Sequence, residues 1–108
     1  MTISVIGLNH KSANIDVREK FSFSADNASL LLRRIKKNKD ISEVIVVSTC
    51  NRTEIYCDSN NGVNDIKDWL LAEKEYESFS KYLYIHQEED AIEHLFKVVA
   101  GLDSMVIG

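Results

Sequence analysis

The chain has 108 residues, two cysteines, no proline and a formal net charge of −4, and 44% of its residues are hydrophobic. This length supports one hydrophobic core and excludes a nucleotide-binding domain combined with a substrate domain. The negative charge excludes a general electrostatic attraction to nucleic acid. No basic segment precedes the first apolar stretch and no apolar run approaches the ~20 residues of a membrane span, so we expect neither a secretion signal nor a membrane anchor.

The first third of the chain predicts a strand followed by a helix. Residues 3–8 form a short apolar run that is typical of a buried strand, and residues 14–23 are expected to be irregular or briefly helical. Ser24 is the predicted N-cap of a helix that ends near residues 38–40. The apolar residues of this helix recur at helical spacing and comprise Ala28, Leu31, Leu32 and Ile35. Its basic residues form either a solvated face or a phosphate-contacting patch, and they are Arg33, Arg34, Lys36, Lys37 and Lys39.

The middle of the chain predicts a β-hairpin from Glu43 to about Ser59. Residues 44–47 are all β-branched and residues 54–57 alternate polar with apolar side chains, as two paired strands do. Residues 60–62, Asn-Asn-Gly, are a strong turn signal after the second strand. A second helix is predicted from Asn64, and its apolar stripe comprises Ile66, Trp69 and Leu70.

The last third predicts one more strand and a C-terminal helix. Residues 82–86 read as the strand, and Asp90 is the predicted N-cap of the helix, with Glu93 as its capping-box carboxylate. The predicted buried face of this helix comprises Ala91, Leu95, Val98 and Leu102. The order of elements predicts an α+β fold of the ferredoxin-like split βαβ class. It is an antiparallel four-stranded sheet with helices on one face, plus a C-terminal helix.

The two cysteines occupy different settings in the predicted hairpin. Cys50 lies at the tip, two residues from the guanidinium of Arg52, in the kind of place where reactive thiols occur. Cys57 lies inside a strand, as packing cysteines do. The two would be about 20 Å apart along the strand, too far for a disulfide, so we expect free thiols and a reducing cytoplasm. Position alone leaves Cys50 as either a nucleophile or an incidental loop thiol.

Three segments in order resemble the catalytic domain of the glutamyl-tRNA reductase family. The first is Gly7-Leu8-Asn9-His10-Lys11-Ser12-Ala13, and the second is Ser48-Thr49-Cys50-Asn51-Arg52-Thr53-Glu54. The third is His94-Leu95-Phe96 followed by Ala100-Gly101-Leu102-Asp103-Ser104-Met105-Val106-Ile107-Gly108. The resemblance covers essentially the whole chain. One departure is Asn14, which stands where the family usually has proline.

The resemblance implies the first committed step of five-carbon tetrapyrrole (porphyrin) synthesis. Glutamate carried on its tRNA is reduced to glutamate-1-semialdehyde, with NADPH as hydride donor. The resemblance makes Cys50 the nucleophile, which attacks the glutamyl ester and forms a thioester. A thiol suits this chemistry because a thioester carbonyl is more electrophilic than an oxygen ester and because sulfur leaves well after hydride addition.

The resemblance also assigns residues to the glutamyl pocket. Arg52 suits the substrate's side-chain carboxylate, although by itself it reads equally well as a solvated turn residue. The arginine could also favour the Cys50 thiolate. Thr49 and Asn51 are expected to hold the glutamyl group by hydrogen bonds. Glu54 is expected to meet the substrate's α-ammonium group, while strand alternation also permits a plain surface carboxylate.

His94 is the second predicted catalytic residue. The resemblance favours an imidazole that polarises the carbonyl or takes the thiol proton, whereas its position also fits a half-buried core histidine bonded to a carbonyl. Ser104, close to three helical turns further on, is predicted to line another part of an elongated substrate pocket. His10 and His86 are candidate pocket neighbours, although the position of His86 at a strand end favours a surface or structural residue. No Cys/His spacing resembles a zinc site, so metal binding is not predicted.

The parts that the sequence lacks set a further expectation. No Gly-x-Gly-x-x-Gly motif follows a strand, so NADPH is not expected to bind this chain in the usual way. We expect residues 1–108 to be one excised catalytic domain, with the NADPH-binding and dimerisation domains beyond Gly108. The intact enzyme would be a homodimer with a channelling partner at the next pathway step. The alternatives are a thiol acyltransferase or hydrolase acting on another acyl donor, and a non-catalytic ferredoxin-like ligand-binding module.

Overall fold

A computed structural model describes residues 2–22, 24–67 and 79–107. The strands are β1 (Thr2–Asn9), β2 (Ile41–Ser48), β3 (Arg52–Ser59) and β4 (Tyr84–Gln87). The helices are α1 (Ile15–Phe21), α2 (Ala25–Lys36) and α3 (Glu89–Ile107). Residues 63–67 are also helical, and a single 3₁₀ turn spans Ser80–Tyr82. None of the described helices is long and apolar enough to cross a membrane.

The four strands form one sheet in the order β2-β3-β1-β4, and every neighbouring pair is antiparallel. This order is that of the split βαβ fold, which confirms the fold class predicted from the element order. β1 is central, so its residues face β3 on one side and β4 on the other. Gly7 illustrates this position, because it pairs with Glu54 of β3 and with Tyr84 of β4.

The two faces of the sheet carry separate cores. Ile6 and Leu8 of β1 point to the face covered by α1 and α2, where they pack with buried Phe21 and Leu31. Because side chains alternate along a strand, Val5 points the other way. There it packs with Tyr56 and with Ala91 and Leu95 of α3. The C-terminal helix therefore covers the opposite face from the first two helices, a detail that the sequence pattern did not specify.

The predicted start of α2 is confirmed, its end lies at Lys36 rather than near residues 38–40, and the predicted start of α3 is wrong. Ser24 caps α2 by accepting a hydrogen bond from the Asn27 N–H at 3.2 Å. The predicted cap at Asp90 is wrong, because α3 begins at Glu89 and the first i→i+4 bond runs from the Ile92 N–H to the Glu88 carbonyl. Glu88 adopts φ +54°, a left-handed turn that redirects the chain directly from β4 into α3. The helix therefore starts two residues earlier than the capping-box pattern predicts, with Glu88 rather than Asp90 as the residue before its first turn.

Several other predictions can be compared with the described residues. The turn at residues 60–62 is present, and Gly62 supplies its positive φ of 63°. The last strand begins at Tyr84 rather than at Tyr82, which belongs to the 3₁₀ turn. All five basic residues at and after the end of α2 are exposed, which agrees with both a solvated face and a phosphate-contacting patch. The predicted core positions Trp69 and Leu70, and the side chain of Leu102, lie outside the described residues.

Candidate active site

The hairpin between β2 and β3 ends in a tight turn that presents Cys50 to solvent. The Thr49 N–H donates to the Arg52 carbonyl at 2.8 Å. The Thr49 hydroxyl accepts from the N–H groups of Asn51 at 3.2 Å and Arg52 at 3.3 Å. A threonine that caps its own turn in this way fixes the backbone around the following residue. Cys50 is therefore an exposed thiol on an ordered loop, as the sequence predicts.

Two other segments hold this turn in place. The His10 N–H donates to the Asn51 carbonyl at 2.9 Å, which ties the loop after β1 to the hairpin tip. On the other side, Arg18 of α1 donates from Nε to the Cys50 carbonyl at 3.1 Å and from Nη1 to the Ala13 carbonyl at 2.9 Å. Sequence reasoning missed Arg18, because its contact spans 32 residues and a single arginine in a short helix carries no local signal.

Asn14 takes part in the placement of Arg18. Its side chain accepts a hydrogen bond from the Val17 N–H at 3.1 Å and so caps the N-terminus of α1. Proline at this position could not make that side-chain bond. Asn14, where the family usually has proline, therefore caps α1. This is the helix from which Arg18 reaches the Cys50 carbonyl.

Two clefts meet at Thr49. The first, which we call the Arg52 cleft, has a volume of about 130 Å³ and is lined by His10, Thr49, Asn51, Arg52, Lys97 and Gly101, among others. The second, the Cys50 cleft, has a volume of about 310 Å³ and is lined by Arg18, Glu19, Ser22, Ser48, Thr49 and Cys50. The three residues predicted to hold the glutamyl group thus share one cleft, and the predicted nucleophile opens onto its neighbour.

Glu54 follows Arg52 by two residues on β3 and is a fully buried carboxylate. Its Oε1 accepts a hydrogen bond from the Tyr56 hydroxyl at 2.9 Å, and its Oε2 accepts one from the Tyr84 hydroxyl. The same Oε2 lies 2.5 Å from Nε2 of His94 and 3.6 Å from Nη1 of Arg52. The alternative that Glu54 is a plain surface carboxylate is wrong, because strand alternation turns this side chain beneath α3 rather than into solvent.

The two tyrosines act as hydrogen-bond donors to this carboxylate. Burial, followed by the charge of Glu54, raises the pKa of Tyr56 well above its usual value. Burial also raises the pKa of Tyr84, with the hydrogen bond to Glu54 as the next cause. Both phenols therefore stay protonated at neutral pH. They supply two of the donors that a buried carboxylate requires.

His94 is partly buried, with a side chain 19% exposed, and it is bonded to a carboxylate rather than to the backbone carbonyl expected for a core histidine. Its ring lies 4.7 Å from the His86 ring and 5.2 Å from the Tyr84 ring, measured between centroids. His86 therefore supports His94 through ring contact. His10, in contrast, lines the Arg52 cleft directly.

The remaining predicted site features can be placed in part. Ser104 lies in α3, three residues beyond Gly101 of the Arg52 cleft, and its side chain is outside the described part of the structure. Arg52 directs Nη1 toward Glu54, while the Cys50 carbonyl is held by Arg18. Cys57 is buried and away from the tip. The described residues contain no group of three or more His, Cys, Asp or Glu side chains that could hold a metal ion.

Comparison with known proteins identifies the family to which this site belongs. Residues 6–108 match the model of the Glutamyl-tRNAGlu reductase N-terminal domain. The whole chain is similar to glutamyl-tRNA reductases of Brevibacillus brevis, at 49% identity, and Heliobacterium mobile, at 46%. It covers 25% and 26% of those proteins, so it spans about a quarter of the length of the curated relatives it matches.

A solved structure gives the same answer. The glutamyl-tRNA reductase from Methanopyrus kandleri superposes with a TM-score of 0.62 at 26% sequence identity, over 95% of this chain and 23% of that one. The match in fold, the match in sequence and the three motifs around the hairpin tip agree. This chain belongs to the family of glutamyl-tRNA reductase N-terminal domains.

Proposed function

We propose that this chain is the domain of an NADPH-dependent glutamyl-tRNA reductase that accepts the glutamyl group from tRNA as a thioester on Cys50. The observation that carries the proposal is the hairpin tip, where an exposed thiol adjoins a cleft formed by Thr49, Asn51 and Arg52. Reactive thiols occur in partly exposed, electropositive surroundings of this kind. The semialdehyde that the enzyme would release is the precursor of tetrapyrroles.

The Arg52 cleft suits the glutamyl group. Its volume of about 130 Å³ is small compared with drug-sized ligand pockets of roughly 300–1,000 Å³, so it fits a single side chain and not a nucleotide. The guanidinium carries five N–H donors, and its weak ion pair with Glu54 at 3.6 Å leaves most of them for the substrate's side-chain carboxylate. Thr49 and Asn51 complete the polar side of the cleft.

The Cys50 cleft suits the leaving group. With the glutamyl side chain in the Arg52 cleft, the ester carbonyl lies at the tip and the terminal ribose of the tRNA lies on the side of Arg18. The Cys50 thiolate attacks the carbonyl carbon, a carbon–sulfur bond forms, and the carbon–oxygen bond to the ribose breaks. The ribose oxygen takes up the proton that the Cys50 thiol gave up and leaves as the hydroxyl of the free tRNA, and the glutamyl thioester remains on the protein.

Reduction of that thioester is assigned to a region outside the described residues. Dinucleotides bind at a parallel βαβ unit, and the described sheet is antiparallel throughout. The residues present therefore do not fit an NADPH site of the usual kind. We propose that residues 1–108 form the catalytic domain, and that separate NADPH-binding and dimerisation domains complete a cytoplasmic homodimer that passes its aldehyde to the next enzyme.

The test is the intact mass of the protein after incubation with glutamyl-tRNA. A glutamyl adduct is expected on the wild-type chain and on the control Cys57→Ala, and its loss is expected in Cys50→Ser. A folded, thiol-reactive protein without any adduct would contradict the proposal and favour a non-catalytic ligand-binding module. An adduct from another acyl donor but none from glutamyl-tRNA would favour a thiol acyltransferase.

A further inference from the structure

The buried carboxylate of Glu54 has no part in the acyl transfer described above. It is fully buried on β3, and its hydrogen-bond partners are Tyr56 on β3, Tyr84 on β4 and His94 on α3. The Arg52 guanidinium, also on β3, lies 3.6 Å from its Oε2. A buried ionised carboxylate is costly unless several donors surround it. Among its hydrogen-bond partners, His94 is a titratable side chain that is still 19% exposed.

With Glu54 ionised, its hydrogen bonds indicate which nitrogen of His94 carries a proton. An ionised carboxylate only accepts hydrogen bonds, so each of its partners must donate. The two tyrosine hydroxyls do so, and Nε2 of His94 at 2.5 Å from Oε2 must therefore carry a proton. In the neutral imidazole the lone pair is then on Nδ1. Nδ1 is then the ring nitrogen that is not engaged by Glu54.

Gly7 gives the carboxylate its route to these partners. β1 lies between β3 and β4, so the Glu54 side chain must cross β1 to reach Tyr84. The residue that it crosses is Gly7, which pairs with both Glu54 and Tyr84. A Cβ at Gly7 would lie 2.8 Å from Glu54 Cγ and 2.5 Å from the Thr53 carbonyl oxygen. The lack of a side chain at Gly7 therefore leaves the space in which the Glu54 side chain crosses β1.

We propose that Glu54 is a positioning residue, which holds His94 with its proton on Nε2 and presents Nδ1 as the functional nitrogen of the site. Tyr56 and Tyr84 fix the carboxylate, and Gly7 provides its space. This role replaces the expected contact between Glu54 and the substrate's α-ammonium group. The significance of Nδ1 rests on the proposed function, while the protonation pattern rests on the hydrogen bonds alone.

The first test is the ¹⁵N NMR spectrum of the histidine rings in the wild-type chain, at a pH where His94 is neutral. We expect the spectrum to show that Nε2 of His94 is protonated and that Nδ1 is not. A spectrum with the proton on Nδ1 would overturn it. This measurement needs no Glu54 variant and no tRNA, so it decides the proposal even if the variant fails to fold or the proposed function is wrong.

The second test compares Glu54→Gln with Glu43→Gln, which removes an exposed carboxylate from the neighbouring strand β2. In folded Glu54→Gln, the His94 ring should become a mixture of tautomers. The rate of Cys50 acylation at saturating glutamyl-tRNA should fall at least about tenfold, while the half-saturating concentration stays within about threefold. Glu43→Gln should change none of these values.

Two results would contradict the positioning role. If Glu54→Gln raises the half-saturating concentration and leaves the saturating rate unchanged, Glu54 contacts the substrate's α-ammonium group instead of positioning His94. An unchanged tautomer together with an unchanged rate would make the network a structural element only. If the wild-type chain is not acylated at all, the proposed function fails, and the NMR spectrum still decides the protonation of His94.

Discussion

The two thiols of this protein differ because one is on a turn and the other is inside a sheet. Cys50 is exposed at the hairpin tip, whereas Cys57 is 3% exposed and packs in the core on the α1 and α2 face. Burial raises the pKa of the Cys57 thiol, and only the thiolate is nucleophilic. The residue context that suggested this difference is local, so the sequence alone was sufficient to predict it.

Alkylation of the folded chain should therefore distinguish the two cysteines. Iodoacetamide at neutral pH is expected to modify Cys50 first and to reach Cys57 only in denaturant. Because the pKa of the Cys57 thiol is raised, its thiolate forms at a higher pH than that of an ordinary thiol. The reactivity of Cys57 should therefore increase only when the pH exceeds the usual thiol pKa. Peptide mass mapping over time measures both rates, with Cys50→Ser as control. Equal rates in the folded state would contradict the assignment.

Arg52 supplies a second prediction at this scale. Arg52→Lys keeps the charge but loses the planar fork, so it should weaken binding of the glutamyl group. Loss of a charge-assisted contact is worth about 1.5–3 kcal/mol, roughly a tenfold to hundredfold change in affinity. The measurement is the affinity for a glutamyl-ester analogue, with Arg33→Lys on the exposed face of α2 as control. Near-normal affinity of Arg52→Lys would remove Arg52 from the site.

At the scale of elements, the site depends on how β1 and β3 approach each other. Gly7 faces Glu54 in the register, and any side chain there would meet the Thr53 carbonyl. Gly101 of α3 is the opposite case, because a Cβ there would meet nothing within 4 Å. Replacing each glycine by alanine therefore separates two effects on stability: the steric clash of a new side chain at Gly7, and the conformational entropy that glycine loses on folding at Gly101.

Gly7→Ala should destabilise the protein by about 1–3 kcal/mol, since the strands must separate to admit the methyl group. Gly101→Ala should instead stabilise it by about 0.5–1 kcal/mol, because alanine favours a helix interior. Urea unfolding of both variants gives the comparison. A Gly7→Ala protein as stable as the wild type would show that β1 and β3 tolerate the side chain, and would weaken the account of the Glu54 route.

The hairpin and α2 were predictable because their signals are local: a β-branched run, a turn motif and an N-cap serine. Contacts made across the sheet were not. Arg18 reaches the Cys50 carbonyl over 32 residues, and Glu54 meets His94 over 40. Alternation along β3 predicts that the Glu54 side chain lies on the other face of the sheet from Thr53 and Ile55. That face is buried only because α3 packs on it, and no local sequence pattern indicates this packing.

At the scale of the whole molecule, the strand order brings the three motif segments together. The loop after β1 and the β2–β3 hairpin meet at the same end of the sheet, where α3 passes over the Arg52 cleft. The order of elements was enough to predict this sheet, because the split βαβ arrangement allows few alternatives. The chain spans about a quarter of the length of the curated relatives it matches.

We propose a division of the reaction in which Cys50 accepts the glutamyl group within these 108 residues and another region reduces the thioester. It is tested most directly by following labelled glutamyl-tRNA with the wild-type chain and Cys50→Ser, in the presence of NADPH. A stalled thioester in an open site is exposed to water. With the wild-type chain we expect protein-bound glutamate, slow release of free glutamate that depends on Cys50, and no semialdehyde. Deacylation unaffected by Cys50→Ser, or semialdehyde formed by the wild-type chain, would contradict it.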